Sequence, residues 1–263
     1  MKKNYIKCGD CLELLETISD KSVDVIFTSP PYGTGRKYNT EARRNNYESR
    51  YDVYLDNRTE EEYADWCCDL FDSFDRVLCD NGVVLWNVSY GNDSCQNSYN
   101  MLWFSIAQII SETNFCIADK ITWKKKTAIP NNVSPNKLTR ICEDVFVFVR
   151  KKELKTFNAN KDVVSVSKKG QKIYDTVYNF VEAKNNDGSC PLNKATFSSE
   201  LVEKILKLYA PISWGKDCIV LDPFNGTGTT GVACKKLGIS YIGFELSKEQ
   251  CKWSIERIKN TGV

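Results

Sequence analysis

The sequence predicts an α/β fold in which a mostly parallel sheet is covered by helices on both faces. Three observations carry that prediction. Short apolar, β-rich runs alternate with amphipathic stretches of helical period along the chain. A glycine-rich loop stands between one such run and the helix after it. Two prolines stop another run at its end, as a strand leaving a sheet requires. One domain spans residues 1–263, interrupted at two places.

Taken in order, Asn4 to Cys8 and Val23 to Phe27 read as buried strands, with Cys11 to Ile18 a helix between them, which is a βαβ opening. From Thr59 to Leu78 the positions Tyr63, Trp66, Cys67, Leu70, Phe71 and Phe74 recur at helical spacing. Asp80-Asn81-Gly82 then reads as a turn into the strand Val83 to Trp86. Met101 to Glu112 predicts a helix, Ala118 to Trp123 a strand, and Val145 to Val149 a strand buried on both faces. Ser199 to Tyr209 is helical; Ile219 to Leu221, Thr229 to Leu237 and Tyr241 to Phe244 form a second βαβ unit; Lys248 to Ile258 is the closing helix. Residues 33–57, polar and rich in arginine, tyrosine and asparagine, read as a mobile loop. Residues 151–192, lysine-rich turns with short apolar pieces, read as an inserted module.

Composition narrows the chemistry. The chain of 263 residues is 42% hydrophobic and 27% charged, enough to fold without metal or disulfide staples. No apolar run approaches the roughly 20 residues that span a bilayer, and no signal-peptide core follows Met1, so a cytoplasmic protein with reduced thiols is expected. The single CxxC, Cys8 to Cys11, lacks a second pair, and there is no histidine, so no metal site is expected. Without histidine every mechanism that needs an imidazole base is excluded. A net charge of +2 leaves any nucleic-acid contact to local basic patches.

Asp222-Pro223-Phe224-Asn225-Gly226-Thr227-Gly228-Thr229-Thr230 follows a strand and opens a helix, the context that gives a glycine loop its meaning as an adenosine-binding turn. Glu245 ends the next strand about 17 residues after Gly228, where its carboxylate can accept from two vicinal ribose hydroxyls. A nicotinamide cofactor and S-adenosylmethionine both present an adenosine. Asp222 favours the second, because a carboxylate attracts a cationic amino acid and repels a pyrophosphate.

Thr28-Ser29-Pro30-Pro31-Tyr32 leaves its strand and turns at once. The turn sets a serine hydroxyl and the Pro30 carbonyl as acceptors beside the Tyr32 ring, as needed to seize a planar base bearing an NH2 group. An exocyclic amine is a poor nucleophile because its lone pair is delocalised into the ring. Two hydrogen bonds accepted from it favour a pyramidal nitrogen and free that pair for in-line attack on a sulfonium methyl. Stacking on Tyr32, worth about 1 to 3 kcal/mol, offsets part of the cost of taking the base out of the duplex.

With both motifs in view the chain resembles the amino-methyltransferases of DNA, in the permuted group often called beta, where the catalytic motif precedes the cofactor loop. Ser29, Pro30, Pro31 and Tyr32 are similar to the catalytic motif, and Asp222 to Thr230 to the cofactor loop. Ile121 to Lys124, Leu138 to Arg140 and Glu143 to Phe146 are similar to internal motifs, Thr196, Phe197 and Ser198 to a segment completing the cofactor pocket, and Asp10 to an acid near the cofactor adenine. The resemblance implies a Rossmann-like S-adenosylmethionine-dependent methyltransferase fold with a seven-stranded sheet, a target-recognition region at 151–192, and double-stranded DNA as substrate with its target base flipped out. Where relatives carry a histidine and a proline around the pocket segment, this chain has Asn193-Lys194 and Ser198.

Serine in the first motif position accompanies N4-cytosine specificity more often than N6-adenine, so N4 is the expected target and N6 the alternative. A C5 mechanism needs a Pro-Cys pair that is absent. Arg36, Lys37, Arg43, Arg44 and Arg50 in the loop after Tyr32, with Lys124, are the expected DNA contacts. A cognate restriction endonuclease acting in trans is left open, as are monomer and homodimer. A nicotinamide dehydrogenase, a methyltransferase of RNA or of protein glutamine, and a non-catalytic DNA-binding module are the competing readings.

Overall fold

The computed structural model describes residues 2–31, 58–88, 98–130, 132, 135, 138–188, 190, 192–193, 196–211 and 217–262, with only the backbone at 98–102. Tyr32 and the basic loop with Arg36, Lys37, Arg43, Arg44 and Arg50 lie outside the described residues.

The first half contains β1 (Tyr5–Cys8), α1 (Cys11–Leu15), β2 (Val23–Thr28), α2 (Glu60–Val77), β3 (Leu78–Val88), α3 (Ser98–Glu112), β4 (Phe115–Lys125) and β5 (Cys142–Arg150). After a 3-10 turn at Lys151–Glu153 come β6 (Val163–Val166), β7 (Lys172–Tyr174) and β8 (Phe180–Ala183). The chain closes with α4 (Ser199–Tyr209), β9 (Ile219–Asp222), α5 (Thr229–Leu237), β10 (Ser240–Glu245) and α6 (Lys248–Lys259).

The main sheet is eight-stranded, ordered β1-β10-β9-β2-β3-β5-β4-β8. The strands from β1 through β3 are parallel, β5 is antiparallel to both β3 and β4, and β8 runs parallel to β4. The expected seven strands are corrected to eight among the described residues. The addition is β8, which comes from the segment read as an insert and extends the sheet beyond β4. Strands β6 and β7 form a separate ribbon whose residues are exposed throughout.

Alternation of side chains divides the sheet into two apolar faces. Ile26, Val84, Trp86 and Phe148 face α1, α2 and α3, whereas Val25, Phe27, Leu85 and Val147 face α4 and α5. Helix α6 lies on the second side, since a Cβ on Gly231 of α5 would stand 2.5 Å from Ile258. Both faces are therefore covered, and every β2 residue is buried.

The local sequence explains how the elements begin. Thr59 caps α2 by accepting from the Glu62 amide at 3.2 Å while Glu62 accepts from the Thr59 amide at 2.8 Å, a reciprocal capping box. Ser198 and Ser247 cap α4 and α6. The segment Asp80-Asn81-Gly82 is no free turn: Val23 pairs with Leu78 and Val25 with Val83, so it loops out as a bulge inside β3, with Asn81 at φ 58°.

Candidate active site

In an open parallel sheet, ligands bind outside the carboxyl ends of the strands, where successive connections leave in opposite directions. Here that place lies between β9, whose chain continues through α5 to β10, and β2, whose chain continues through α2 to β3. The glycine loop and the Ser29-Pro30-Pro31 turn leave these two adjacent strands. A buried hydrogen bond joins them directly: the Thr28 hydroxyl donates to Asp222 at 2.7 Å.

Asp222 is 2% exposed, and its carboxylate also accepts from the Thr230 hydroxyl at 2.6 Å and the Phe224 amide at 3.1 Å. Burial pushes its carboxyl up to about 6, against the three donors that favour the charged form. Within the loop Pro223, Asn225, Gly228, Thr229 and Thr230 are also buried, whereas Phe224 and Gly226 keep partial exposure. Gly228 takes φ 83° and packs against α6, so its conformation opens α5 rather than clearing space for a ligand. Gly243 of β10 is needed beneath the loop, because a Cβ there would stand 2.6 Å from the Asn225 side-chain oxygen. That oxygen is buried and has no hydrogen-bond partner among the described residues.

Glu245 and Asp10 stand along the same rim. Cys8 pairs with Glu245 at the ends of β1 and β10, and the Gly9 amide donates to the Glu245 carbonyl at 3.0 Å. The Glu245 carboxylate accepts from the Gly226 amide at 2.7 Å and from the Ser247 amide at 2.9 Å, tying the loop to the next strand end. Asp10 caps α1 by accepting from the Leu12 amide at 2.8 Å. Both acids are partly exposed.

The segment around Thr196, Phe197 and Ser198 follows Asn193, which lies close to the glycine loop. Asn193 donates to Gln250 at 3.2 Å and lies 3.5 Å from the Cβ position of Gly226, and the Phe197 ring lies 5.7 Å from Phe27 of β2. Thr196 and Phe197 are partly exposed. Ser198 is fully buried, donating to the Lys184 carbonyl at 2.7 Å and accepting from the Leu201 amide at 3.3 Å, so its hydroxyl serves the helix start. Lys124 stands at the same carboxyl edge of the sheet, near the end of β4 and three strands from β2, paired with Glu182 of β8 at 2.6 Å.

Three side chains of the site carry no motif in the sequence. Tyr63 and Trp66 of α2 belong to the apolar stripe, yet the Tyr63 hydroxyl donates to the Pro31 carbonyl at 2.7 Å and the Trp66 ring lies 5.5 Å from Phe224. Arg257 of α6 donates to the Thr227 carbonyl and to the Thr227 and Thr229 hydroxyls at 3.0 to 3.1 Å, and pairs with Asp187 at 2.7 Å. It braces the loop from behind.

The chain has relatives among known proteins. A family model for N6/N4 methyltransferases, described as DNA methylase, matches residues 23–256. The chain belongs to the DNA methylase family. Among curated relatives, the type II methyltransferase M.BglII of Bacillus subtilis is 28% identical over 94% of this chain and 66% of its own length. M.HinfI of Haemophilus influenzae is 27% identical over 97% of this chain and 68% of its own. The chain thus spans about two thirds of the length of these DNA methylases. The solved PvuII DNA methyltransferase (cytosine-N4-specific) superposes with a TM-score of 0.68 at 20% identity, covering 99% of this chain and 93% of that one. M1.HpyAVI in complex with SAM gives 0.58 at 21%, covering 96% and 97%. At these identities the structural likeness speaks to the fold, which is the methyltransferase fold expected from the sequence.

Proposed function

We infer that the protein transfers a methyl group from S-adenosylmethionine to the N4 amine of a cytosine flipped out of double-stranded DNA. The observation that carries this reading is the Thr28–Asp222 hydrogen bond, which sets the acceptor turn beside the donor loop. Residues of the rim suit the cofactor. Asp10, Asp222 and Glu245 place carboxylates at three neighbouring strand ends, which favours a cationic ligand over a pyrophosphate. Phe224 and Phe197 offer apolar surface, Glu245 and Asp10 acceptors for ribose hydroxyls and the adenine amine, and the Gly226 edge a close backbone approach. When bound, S-adenosylmethionine supplies an electrophilic methyl on a cationic sulfur.

The chain's own part is to hold the amine. The Ser29 hydroxyl and the Pro30 carbonyl accept its N–H groups, Pro30 and Pro31 fix the backbone that presents them, and Tyr32 stacks on the base. Serine in the first position, which could hold either amine, supports cytosine because it accompanies N4 specificity more often in the resembling enzymes. DNA is held by the basic 33–57 loop, which includes Arg36, Lys37, Arg43, Arg44 and Arg50, with Lys124 beyond it, and by the 151–192 region. The β6–β7 ribbon, with Lys168 and Lys169 at its tip, has the width that a major groove admits. The setting is cytoplasmic, beside a restriction endonuclease, as the relatives' type II designation suggests.

The test is incubation with labelled S-adenosylmethionine and unmethylated genomic DNA, followed by digestion to nucleosides and mass spectrometry. N4-methylcytosine is expected; N6-methyladenine would reassign the amine, and an unlabelled digest would overturn the reading. Ser29→Ala should lower turnover by roughly 10²-fold while cofactor affinity stays near that of the wild type.

A further inference from the structure

We propose that Tyr63 and Trp66 form a gauge that sets the methyl-acceptor turn at its working distance from the cofactor loop, with Tyr63 as a positioning residue for the transfer. The proposal rests on the functional reading above. Both side chains leave one face of α2, one helical turn apart, with ring centroids separated by 5.7 Å. Tyr63 is 1% exposed and Trp66 8%, so neither can swing away from its contacts without opening the core.

The two rings touch the two halves of the site. Prolines 30 and 31 have their φ angles locked by their rings, so the remaining freedom of the turn lies in ψ. The Tyr63 hydroxyl, donating to the Pro31 carbonyl at 2.7 Å, fixes the plane of the peptide through which the chain leaves the turn. Trp66 meets Phe224 of the cofactor loop at 5.5 Å, with the rings inclined by 54°. Its indole is also covered by the Arg58 guanidinium, 4.5 Å from the ring centroid. Donor loop and acceptor turn are therefore referred to one rigid helix, whose start is secured by the Thr59–Glu62 capping box. In-line attack tolerates little misplacement, so this reference bears on rate more than on binding.

Tyr63→Phe deletes the hydroxyl and leaves the ring packing intact. Its expected effect is a fall in kcat of about 10- to 100-fold, with unchanged melting temperature and unchanged affinity for S-adenosylmethionine. In a Ser29→Ala background the same change should cost less than it does in the wild type, because one of the two acceptors the turn presents is already gone and only the Pro30 carbonyl is left to be positioned. Trp66→Phe, which keeps a ring on Phe224, should retain most activity, whereas Trp66→Leu should not. A Tyr63→Phe enzyme with wild-type kcat, an additive loss in the Ser29→Ala background, or a loss that tracks melting temperature would each overturn the gauge. Wild-type protein that methylates no DNA would instead remove the functional reading itself.

Discussion

At Asp222 burial favours the neutral acid, the Thr28, Thr230 and Phe224 donors favour the carboxylate, and burial prevails, leaving the carboxyl at about 6. An unfolded aspartate titrates near about 3.9. Between those values the folded chain holds more protons than the unfolded one, so this group's contribution to stability declines as pH rises across the window. Asp222→Asn should flatten that decline in thermal melts. A cation at the rim favours the charged carboxylate, so S-adenosylmethionine should bind more tightly as pH rises through about 6, and the asparagine variant should lose that dependence. Calorimetric titration at several pH values checks both arms; equal pH dependence in the two proteins would separate Asp222 from the cofactor. Asp222, Ser29 and Glu245 were legible because each sits at a fixed place in a motif. Tyr63 and Trp66 were legible only as core, since their spacing on α2 is that of any buried stripe, and Arg257 reads as one more surface charge on a closing helix.

Among the elements, α5 shows what the loop glycines do. Gly228 and Gly238 both take positive φ, 83° and 67°, but a Cβ on Gly228 would come within 2.8 Å of Ser254 on α6, while one on Gly238 would meet nothing within 4 Å. Gly238→Ala should cost only the left-handed conformation, about 1 to 2 kcal/mol. Gly228→Ala adds overpacking against a neighbouring helix and should cost about 2 to 4 kcal/mol. Denaturant midpoints of the two variants measure the difference, and equal losses would show that α6 yields freely. The inner parallel strands and their helices could be read from alternation because β2 and β9 are apolar on both sides, whereas the edge strand β1, expected to be buried, is half exposed. Strand β8 could not, since it is a short edge strand, half exposed, in a lysine-rich stretch. The bulge at Asp80-Asn81-Gly82 carries a turn's composition, and only pairing with β2 shows that the strand continues through it.

At the scale of the whole molecule, Arg150 knits the far end of the sheet, pairing with Asp75 and Glu153 and donating to the Leu78 and Cys79 carbonyls at 2.8 and 2.9 Å. The site at the opposite rim is assembled differently. Its decisive contact, Thr28 to Asp222, closes a span of 194 residues, and β2 lies between β3 of the first half of the sequence and β9 of the second. Contacts of such long range form late, after the entropy of closing the chain has been met. A nascent polypeptide on the ribosome therefore carries the acceptor turn long before it has anything to bind the donor. Added S-adenosylmethionine should leave the refolding rate unchanged and slow unfolding instead, because it recognises only what exists once the last strand has been inserted.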